Sequence, residues 1–462
     1  MARVLFIHCR KETPENPVPH LGLASLCSPL RQAGHEVLVL DEAILPREAM
    51  PPLGEVIAGF GPDVIGFSVY TATLTSTLEY IRQAREASHA AVLAGGPHAT
   101  LFPETLAQTQ LVDCVVQGEA ENVIVELVET VKRGDPCRIV RAPEVDVQSL
   151  LWPDYTGFVD WEKITFYPVN TSRGCPFCCS FCAVEQITSR RWRPRDPADC
   201  AAEVAAARRQ FANLCGLKVT DDCPTCRADH FKAFLRLLGA QEQPPLPLVV
   251  DNVRADRVDA EFLELVKAAG ATEICLGVES GDPDVFALVD KKESLEEVAR
   301  AAQLIRQHGL TLGLCFIIGL PGDTFARTRG SVRLARRLKA DKIFWNMMHP
   351  FPGTPAYEWF EQHGASVDPP RTYTSYDTHQ LQVAEPAVET SDFTKADRRR
   401  AYFLAAVATD QFTWDREAFG HLLRGAVKYR LPGPVFMAML RHVKQRGLHT
   451  ALRIAHRVRR LL

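Results

Sequence analysis

The sequence predicts an α/β protein that combines a doubly wound parallel sheet, a partial (β/α)6 barrel and a helical carboxyl-terminal region. Short apolar runs alternate with helical periodicity over residues 1–135, the same alternation resumes over 166–370, and strand patterns are missing beyond that point. Apolar strands separated by helices are typical of parallel sheets with both faces covered. A length of 462 residues allows two or three such domains.

The first segment, residues 1–135, predicts the doubly wound domain. Its strands are expected at residues 4–8, 36–41, 63–68, 90–94 and 113–117. Helices are expected between them at residues 22–33, 75–88 and 121–132. Sheets of this kind bind ligands where the carboxyl ends of their strands meet. Residues 136–165 contain several prolines and little periodicity, so they are predicted to be a linker.

The second segment, residues 166–370, repeats the alternation six times. Its strands are predicted at residues 164–171, 217–220, 248–250, 273–278, 311–318 and 342–346. Its helices are predicted at residues 198–210, 228–238, 260–269, 295–307 and 324–339. Six β/α units predict an incomplete barrel. Residues 371–462 are predicted to be helical, with a break at 431–434 where two prolines flank a glycine.

Composition and charge exclude several classes of protein. The net charge of −3 gives no reason to expect nucleic acid as a partner. No signal peptide and no run of ~18 apolar residues is present, so we expect a cytoplasmic protein. Residues 421–462 carry ten Lys or Arg and no Asp or Glu. This basic tail is expected to pack on the barrel; the alternative, peripheral contact with the inner membrane face, stays open.

The cysteines are the strongest chemical signal. Fourteen cysteines in a cytoplasmic chain are not expected to form a disulfide framework, whereas clustered ones indicate metal. Four of them, Cys175, Cys178, Cys179 and Cys182, lie on a loop after the first barrel strand. They allow the spacing C-x3-C-x2-C through Cys179 or C-x2-C-x3-C through Cys178. Thiolates bind iron–sulfur clusters; a zinc knuckle or a chance group of cysteines is the alternative.

The first spacing, with Phe181 before the last cysteine, resembles the radical S-adenosylmethionine (SAM) superfamily. The resemblance implies that Cys175, Cys179 and Cys182 bind a 4Fe–4S cluster, with Cys178 as a bystander. Three protein ligands leave one iron open for SAM, much as catalytic zinc keeps one open position. The implied chemistry is cleavage of SAM to methionine and a 5′-deoxyadenosyl radical. An electron donor such as flavodoxin or ferredoxin is implied as well.

Three later segments at predicted strand ends are similar to the SAM-contacting segments of this superfamily: residues 220–222, 277–281 and 318–323. Together with the cysteine loop, they imply a set of SAM contacts: Phe181, Asp222, Glu279, Ser280 and Pro321. Each segment alone also fits a strand-to-helix turn with an acidic N-cap. Cys223 and Cys226 depart from the family pattern, and an auxiliary metal site there would need two more ligands, such as Cys200 or Cys215.

The first domain narrows the resemblance to the cobalamin-binding branch of the superfamily. The matching segments are residues 19–22, 66–68, 95–98 and 118–119, all at predicted strand ends. They imply cobalamin contacts from His20, Gly22, Ser68, Gly95, Gly96, Gly118 and Glu119. The Asp-x-His-x-x-Gly motif that supplies a histidine to cobalt elsewhere is absent, so we expect cobalt without a protein histidine. A domain that binds another ligand, or none, is the alternative.

The leading hypothesis is a methyltransferase for an unactivated carbon, or phosphorus, of a small-molecule or lipid-like intermediate. Residues near the sixth barrel strand are plausible substrate contacts, although the Trp and Met are better explained by core packing: Trp345, Asn346, Met347, His349 and Tyr357. The alternative is a cobalamin-dependent cyclase or oxidative ring-forming enzyme, as in anaerobic tetrapyrrole biosynthesis. Methylthiolation of RNA is disfavoured because the body is acidic. A cobalamin sensor without catalysis is a further alternative.

Overall fold

The computed structural model of the chain describes residues 1–10, 18–45, 49–135, 137–369, 385–409, 411 and 416–430. The first domain contains β1 (Arg3–His8), α1 (Leu21–Gln32), β2 (Glu36–Asp41), α2 (Leu53–Phe60), β3 (Val64–Ser68), α3 (Leu74–Ala87), β4 (Ala91–Gly95), α4 (Pro97–Leu101), α5 (Pro103–Ala107), β5 (Cys114–Gln117), α6 (Ile124–Lys132) and β6 (Ile139–Arg141). The last strand lies in the segment expected to be linker. A disulfide joins Cys114 to Cys137, a link that the cysteine spacing does not predict.

The six strands of this domain form one parallel sheet in the order β2-β1-β3-β4-β5-β6, which confirms the doubly wound architecture. The chain leaves β1 toward β2 on one side and continues through β3 on the other. Such a reversal opens a crevice at the carboxyl ends of the strands. Register brings His8 of β1 level with Asp41 of β2 and with Ser68 of β3, so three polar residues end neighbouring strands.

The second domain contains β7 (Phe166–Val169), β8 (Ser172–Arg173), α7 (Val184–Ile187), β9 (Arg193–Pro194), α8 (Pro197–Gln210), β10 (Gly216–Val219), α9 (Ala228–Gly239), β11 (Leu248–Val253), α10 (Ala260–Ala268), β12 (Ala271–Glu279), α11 (Pro283–Val289), α12 (Leu295–Gln307), β13 (Thr311–Ile318), α13 (Phe325–Leu338), β14 (Lys342–Met347) and α14 (Pro355–Gln362). Six strands form a parallel sheet in the order β7-β10-β11-β12-β13-β14. This confirms the partial barrel.

Alternation along the barrel strands separates an outer face from the lumen. In β12, Ile274, Leu276 and Val278 join the main apolar core together with residues of the surrounding helices. Because successive side chains of a strand point to opposite faces, Cys275 projects into the lumen. The ladder is irregular between Gly277 and Glu279, but a Cβ on Gly277 would lie 2.5 Å from Glu279 Oε1, so the carboxylate is on the same side as Cys275. The carboxyl end of β12 therefore delivers a carboxylate to the inside of the barrel.

The carboxyl-terminal region contributes β15 (Ser366–Val367), β16 (Val388–Glu389), α15 (Lys395–Ala408) and α16 (Arg416–Lys428). The fully buried Arg398 of α15 donates to the Gly319 carbonyl at 2.7 Å and to the Phe393 carbonyl at 3.0 Å. The predicted basic tail covers residues 421–462, and its larger part, residues 431–462, lies outside the described residues. None of the described helices combines the length and the apolar composition that a membrane span requires.

Buried ion pairs join the two domains. Glu119, after β5, contacts Arg193 of β9 at 2.6 Å and Arg173 of β8 at 3.2 Å. Glu121 adds a contact of 2.7 Å to Arg173. At most 15% of any of these four side chains is exposed. Buried charges are stable only while they are paired, so this network fixes the end of the first sheet against the loop that precedes the cysteines.

We predict that Glu119→Gln lowers the free energy of unfolding by about 3 kcal/mol, because it leaves two buried guanidinium groups with too little countercharge. Denaturant unfolding of the protein without cofactors measures this loss. Glu104→Gln is the matched control, since its ion pair with Arg138 is 66% and 70% exposed. An exposed pair contributes ~0–1 kcal/mol. Equal losses in the two variants would contradict the assignment.

Candidate active site between the two sheets

A cavity of about 660 Å³ lies at the carboxyl ends of the first sheet. All seven residues predicted to contact cobalamin line it: His20, Gly22, Ser68, Gly95, Gly96, Gly118 and Glu119. Residues of the second domain complete its wall: Pro168, Asn170, Arg173, Ile187, Thr188, Thr220 and Asp222. One volume is therefore shared by the predicted cobalamin site and by the region that leads to the cysteine loop.

Glycines keep the floor of this cavity free of side chains. Gly96 has a φ of 92°. A Cβ there would lie 3.0 Å from Ser68 Oγ and 3.1 Å from the Val69 nitrogen. Gly118 has a φ of 93°, and a Cβ there would lie 3.2 Å from the Ala142 carbonyl oxygen. Both Cβ atoms would press on protein atoms, so the local backbone requires glycine at these two positions. Main chain therefore forms this part of the cavity wall, and a wall of main chain fits the close approach of a large flat ring such as cobalamin.

His20 is fully engaged by its neighbours. Its Nδ1 accepts the Leu23 N–H at 3.0 Å as the N-cap of α1, and its Nε2 lies 2.8 Å from Ser68 Oγ. Burial and the neighbouring His8 lower the pKa of His20 to about 3, so the ring is neutral. Because Nδ1 accepts, the proton is on Nε2 and is donated to Ser68. His20 caps a helix and positions a hydroxyl; it offers no lone pair to a metal.

The cysteine loop is fixed on several sides. The Gly174 N–H donates to Asp222 Oδ2 at 2.8 Å. The Ser180 N–H donates to the Val289 carbonyl at 2.8 Å, and its hydroxyl donates to the Leu288 carbonyl at 2.8 Å. The guanidinium of Arg254 covers the ring of Phe177 at 3.6 Å, a cation–π contact. These contacts hold the loop in one shape without any contribution from its thiols.

The exposure of the four thiols supports the predicted ligand set. Cys178 is exposed, whereas Cys175, Cys179 and Cys182 are half-buried. In the described part of the chain, no three His, Cys, Asp or Glu side chains are close enough to hold a single metal ion. Three half-buried thiols on one loop are a donor set that fits an iron–sulfur cluster.

Asp221 and Asp222 follow β10 and lie beside this loop. Asp221 is buried and accepts the Thr171 N–H, the Thr171 hydroxyl and the Ser172 hydroxyl at 2.6–2.7 Å. Burial raises its pKa to about 6, although these bonds oppose the shift. Asp222 lines the cavity and uses Oδ2 to hold Gly174 and the Thr188 hydroxyl. The predicted SAM contact of Asp222 is thus placed where loop and cavity meet.

Glu279 ends β12 in a strained conformation, with a φ of 67°. Its Oε1 lies 3.3 Å from Lys291 Nζ, which also donates to the Gly277 carbonyl. Burial would lower the pKa of Lys291, but Glu279 and Glu293 outweigh it and raise the pKa. A left-handed residue other than glycine is costly and is typical of functional sites.

The other predicted SAM contacts lie in tightly packed turns. The Ser280 hydroxyl accepts the Asp282 N–H at 3.2 Å. Phe181 packs against the apolar cluster that contains Leu320, next to Pro321. Asp323 Oδ2 accepts the Gly319 N–H at 2.8 Å and closes that loop. These residues shape the carboxyl ends of the barrel strands; their contact with SAM stays a prediction.

The remaining cysteines do not assemble an auxiliary metal site within the described residues. Cys223 and Cys226 are buried, and the Cys223 thiol lowers the pKa of neighbouring Cys175 to about 7. The two further candidates are elsewhere: Cys200 Sγ donates to the Asn170 carbonyl at 3.8 Å, and Cys215 is exposed. The spacing of Cys223 and Cys226 in sequence gave no sign that Cys223 packs on the ligand loop.

Two of the proposed substrate contacts belong to the core instead. Trp345 stacks on Phe316 at 4.8 Å and donates from Nε1 to the Thr409 hydroxyl at 2.9 Å. Met347 packs in the same apolar core. Asn346, between them, is exposed. The packing explanation is therefore right for the Trp and the Met.

Comparison with known proteins agrees with this geometry. Residues 7–128 match the B12 binding domain family, and residues 169–335 match the radical SAM superfamily. The chain belongs to the cobalamin-binding radical SAM enzymes. Its two domains define its cofactors, which are cobalamin, SAM and a 4Fe–4S cluster.

Individual relatives include two activities. The anaerobic magnesium-protoporphyrin IX monomethyl ester cyclase of Rubrivivax gelatinosus is 25% identical and covers 91% of this chain and 81% of its own length. The bacteriochlorophyllide d C-8(2)-methyltransferase of Chlorobaculum tepidum is 23% identical, and the match covers 76% of this chain and 78% of the methyltransferase.

A solved structure shows the same fold. It is the radical SAM methyltransferase TsrM from Kitasatospora setae with cobalamin and a 4Fe–4S cluster bound. Its TM-score is 0.66 at 22% identity, and the match covers 81% of this chain and 76% of that one.

We predict that serine in place of Cys175, Cys179 or Cys182 removes the cluster, because each substitution deletes one of three thiolate anchors. Iron and sulfide content after anaerobic reconstitution measures the loss. Cys178→Ser is the matched control on the same loop and keeps both. Loss of iron in Cys178→Ser, with retention of iron in Cys179→Ser, would assign the cluster to the C-x2-C-x3-C spacing through Cys178.

We also predict that Gly96→Ala lowers the cobalamin retained through gel filtration at least tenfold. The added methyl group strains a left-handed backbone and presses on Ser68 and Val69. Gly134→Ala is the control: its φ is 77°, but a Cβ there meets no atom within 4 Å. If the two variants retain equal cobalamin, the close approach at Gly96 is not part of the site.

Proposed function

We propose that this enzyme methylates an unactivated carbon, or a phosphorus, of a small-molecule or lipid-like biosynthetic intermediate, with SAM as the methyl source and cobalamin as the carrier. The observation that supports the proposal is the shared cavity. Gly96 and Gly118 of the first domain and Thr220 and Asp222 of the second line one volume. A substrate in that volume can meet a methyl donor and a radical source together, which group transfer requires.

The roles of the residues follow from their positions. Cys175, Cys179 and Cys182 would hold the cluster, and the glycine-lined floor would hold cobalamin. When bound, these groups supply the electron that cleaves SAM and the methyl group that is transferred. Asp222 would orient the SAM ammonium group through a charge-assisted hydrogen bond. Glu279, fixed by Lys291 at 3.3 Å, would face the ribose hydroxyls from the barrel lumen.

The electron comes from outside the described chain. We propose a small redox protein such as flavodoxin or ferredoxin as the donor, in the cytoplasm. The geometry of the cluster loop is consistent with this, since exposed Cys178 marks a side of the loop that solvent reaches. An exposed edge is where a partner can approach within electron-transfer range.

Cyclisation is the second candidate function. The cyclase from Rubrivivax gelatinosus matches 91% of this chain. The methyltransferase from Chlorobaculum tepidum and the similarity to TsrM favour methyl transfer. The two reactions differ in the fate of the SAM methyl group, so an isotope separates them.

We predict that the reconstituted enzyme, with a chemical reductant and methyl-labelled SAM, releases 5′-deoxyadenosine and places label in its cobalamin fraction. Mass spectrometry of the small-molecule fraction measures both. The cobalamin readout needs no substrate, and addition of candidate intermediates then locates the labelled product. Cys179→Ser is expected to release no deoxyadenosine, and Cys178→Ser serves as its control.

Two outcomes would contradict methyl transfer. Deoxyadenosine without label in cobalamin would favour the cyclase. Absence of deoxyadenosine from protein that holds its cluster would exclude radical chemistry on SAM altogether.

A further inference from the structure

A histidine–carboxylate pair lies at the carboxyl ends of the first two strands. His8 is the last residue of β1 and Asp41 the last of β2, and the two are register partners. His8 Nδ1 lies 2.8 Å from Asp41 Oδ1 in a buried contact. The carboxylate also accepts the N–H groups of His20 at 2.7 Å and Ala43 at 2.9 Å.

Asp41 accepts hydrogen bonds on both carboxylate oxygens, Oδ2 from the His20 N–H and Oδ1 from the Ala43 N–H. A carboxylate accepts only, so Nδ1 of His8 must donate. In the neutral ring, Nε2 then carries the free lone pair.

His8 is one of the residues that line the cavity. Its Nδ1 is held by Asp41, and no other described residue forms a hydrogen bond with its Nε2. The ring is held in place, since His20 lies edge-on at 4.4 Å between centroids and Tyr70 lies at 5.6 Å. His20 differs, because both of its nitrogens are engaged.

We propose that His8 Nε2 is the protein ligand of cobalt, with Asp41 as the residue that fixes its tautomer and orientation. Histidines that bind metals commonly donate their second nitrogen to a carboxylate. In the Asp-x-His-x-x-Gly motif, which this sequence lacks, the aspartate and the histidine lie on one loop. Here the histidine ends β1 and the aspartate ends the adjacent strand β2. This inference replaces the expectation of cobalt without a histidine, and it rests on the proposed binding of cobalamin in this cavity.

The test is electron paramagnetic resonance of the full-length protein loaded with hydroxocobalamin and reduced to Co(II), without SAM or substrate. Protein is produced with ordinary histidine and with ¹⁵N-histidine. We expect the axial nitrogen splitting to change from a triplet to a doublet on labelling. A triplet that persists would assign the ligand to the benzimidazole of cobalamin, and a spectrum without splitting would show no nitrogen ligand; both outcomes overturn the proposal.

Variants identify the histidine in labelled protein. His8→Gln is expected to abolish the doublet, whereas His20→Gln and the exposed His89→Gln keep it. Asp41→Asn is expected to change the splitting, since the second nitrogen loses its anionic partner. A doublet that survives in His8→Gln, or disappears in His20→Gln instead, overturns the assignment. If His8→Gln fails to fold, Asp41→Asn carries the assignment, and an unchanged doublet in that variant overturns it.

Failure of this inference is distinguishable from failure of the proposed function. Protein that binds stoichiometric cobalamin with no histidine splitting, yet transfers labelled methyl, refutes only the ligand. Protein that retains no cobalamin at all refutes both.

Discussion

The carboxylate of Glu119 and the guanidinium groups of Arg173 and Arg193 are the contacts on which the shared cavity depends. Arg173 lies two positions before Cys175, the first of the proposed cluster ligands, and Glu119 directly follows a glycine of the cavity wall. A shift of one sheet against the other would therefore separate buried charges, at a cost of several kcal/mol. The two halves of the site keep their distance because moving them apart is electrostatically unfavourable.

Rigidity also characterises the two elements that would carry the chemistry. The cysteine loop is fixed by backbone hydrogen bonds and by the contact of Phe177 with Arg254, independent of its thiols. Glu279 is kept in a left-handed conformation next to Lys291. Both arrangements limit motion before any ligand binds, and preorganisation of this kind lowers the cost of reaching a reactive geometry.

The sequence was sufficient for the architecture and for the cysteine loop, because both depend on local patterns. Apolar runs of strand length predicted each strand of the two main sheets except Ile139–Arg141, a three-residue edge strand too short for a periodic signal. The cysteine spacing and the strand-end glycines are likewise local. The glycines assemble around one cavity because parallel strands end on the same edge.

Contacts between distant positions could not be predicted in this way. Asp41 and His8 are separated by 33 residues, and only strand register makes them partners. The sequence predicted that Glu119 contacts cobalamin. In the structure its carboxylate oxygens accept hydrogen bonds from Arg173 and Arg193 of the other domain, which sequence spacing does not reveal. Cys223 approaches Cys175 for the same reason: tertiary packing, not spacing, sets the distance.

The buried side chain of Arg398 has a consequence for how the molecule can be divided. It comes from beyond the barrel, yet it supplies the donor for the Gly319 carbonyl and lies against the loop closed by Asp323. A truncated protein that ends with the last barrel strand would keep every cysteine and every glycine of the site. It would nevertheless leave the Gly319 carbonyl without its hydrogen-bond donor, and it would expose the apolar core residues that α15 covers. The barrel therefore needs the carboxyl-terminal region to complete its packing.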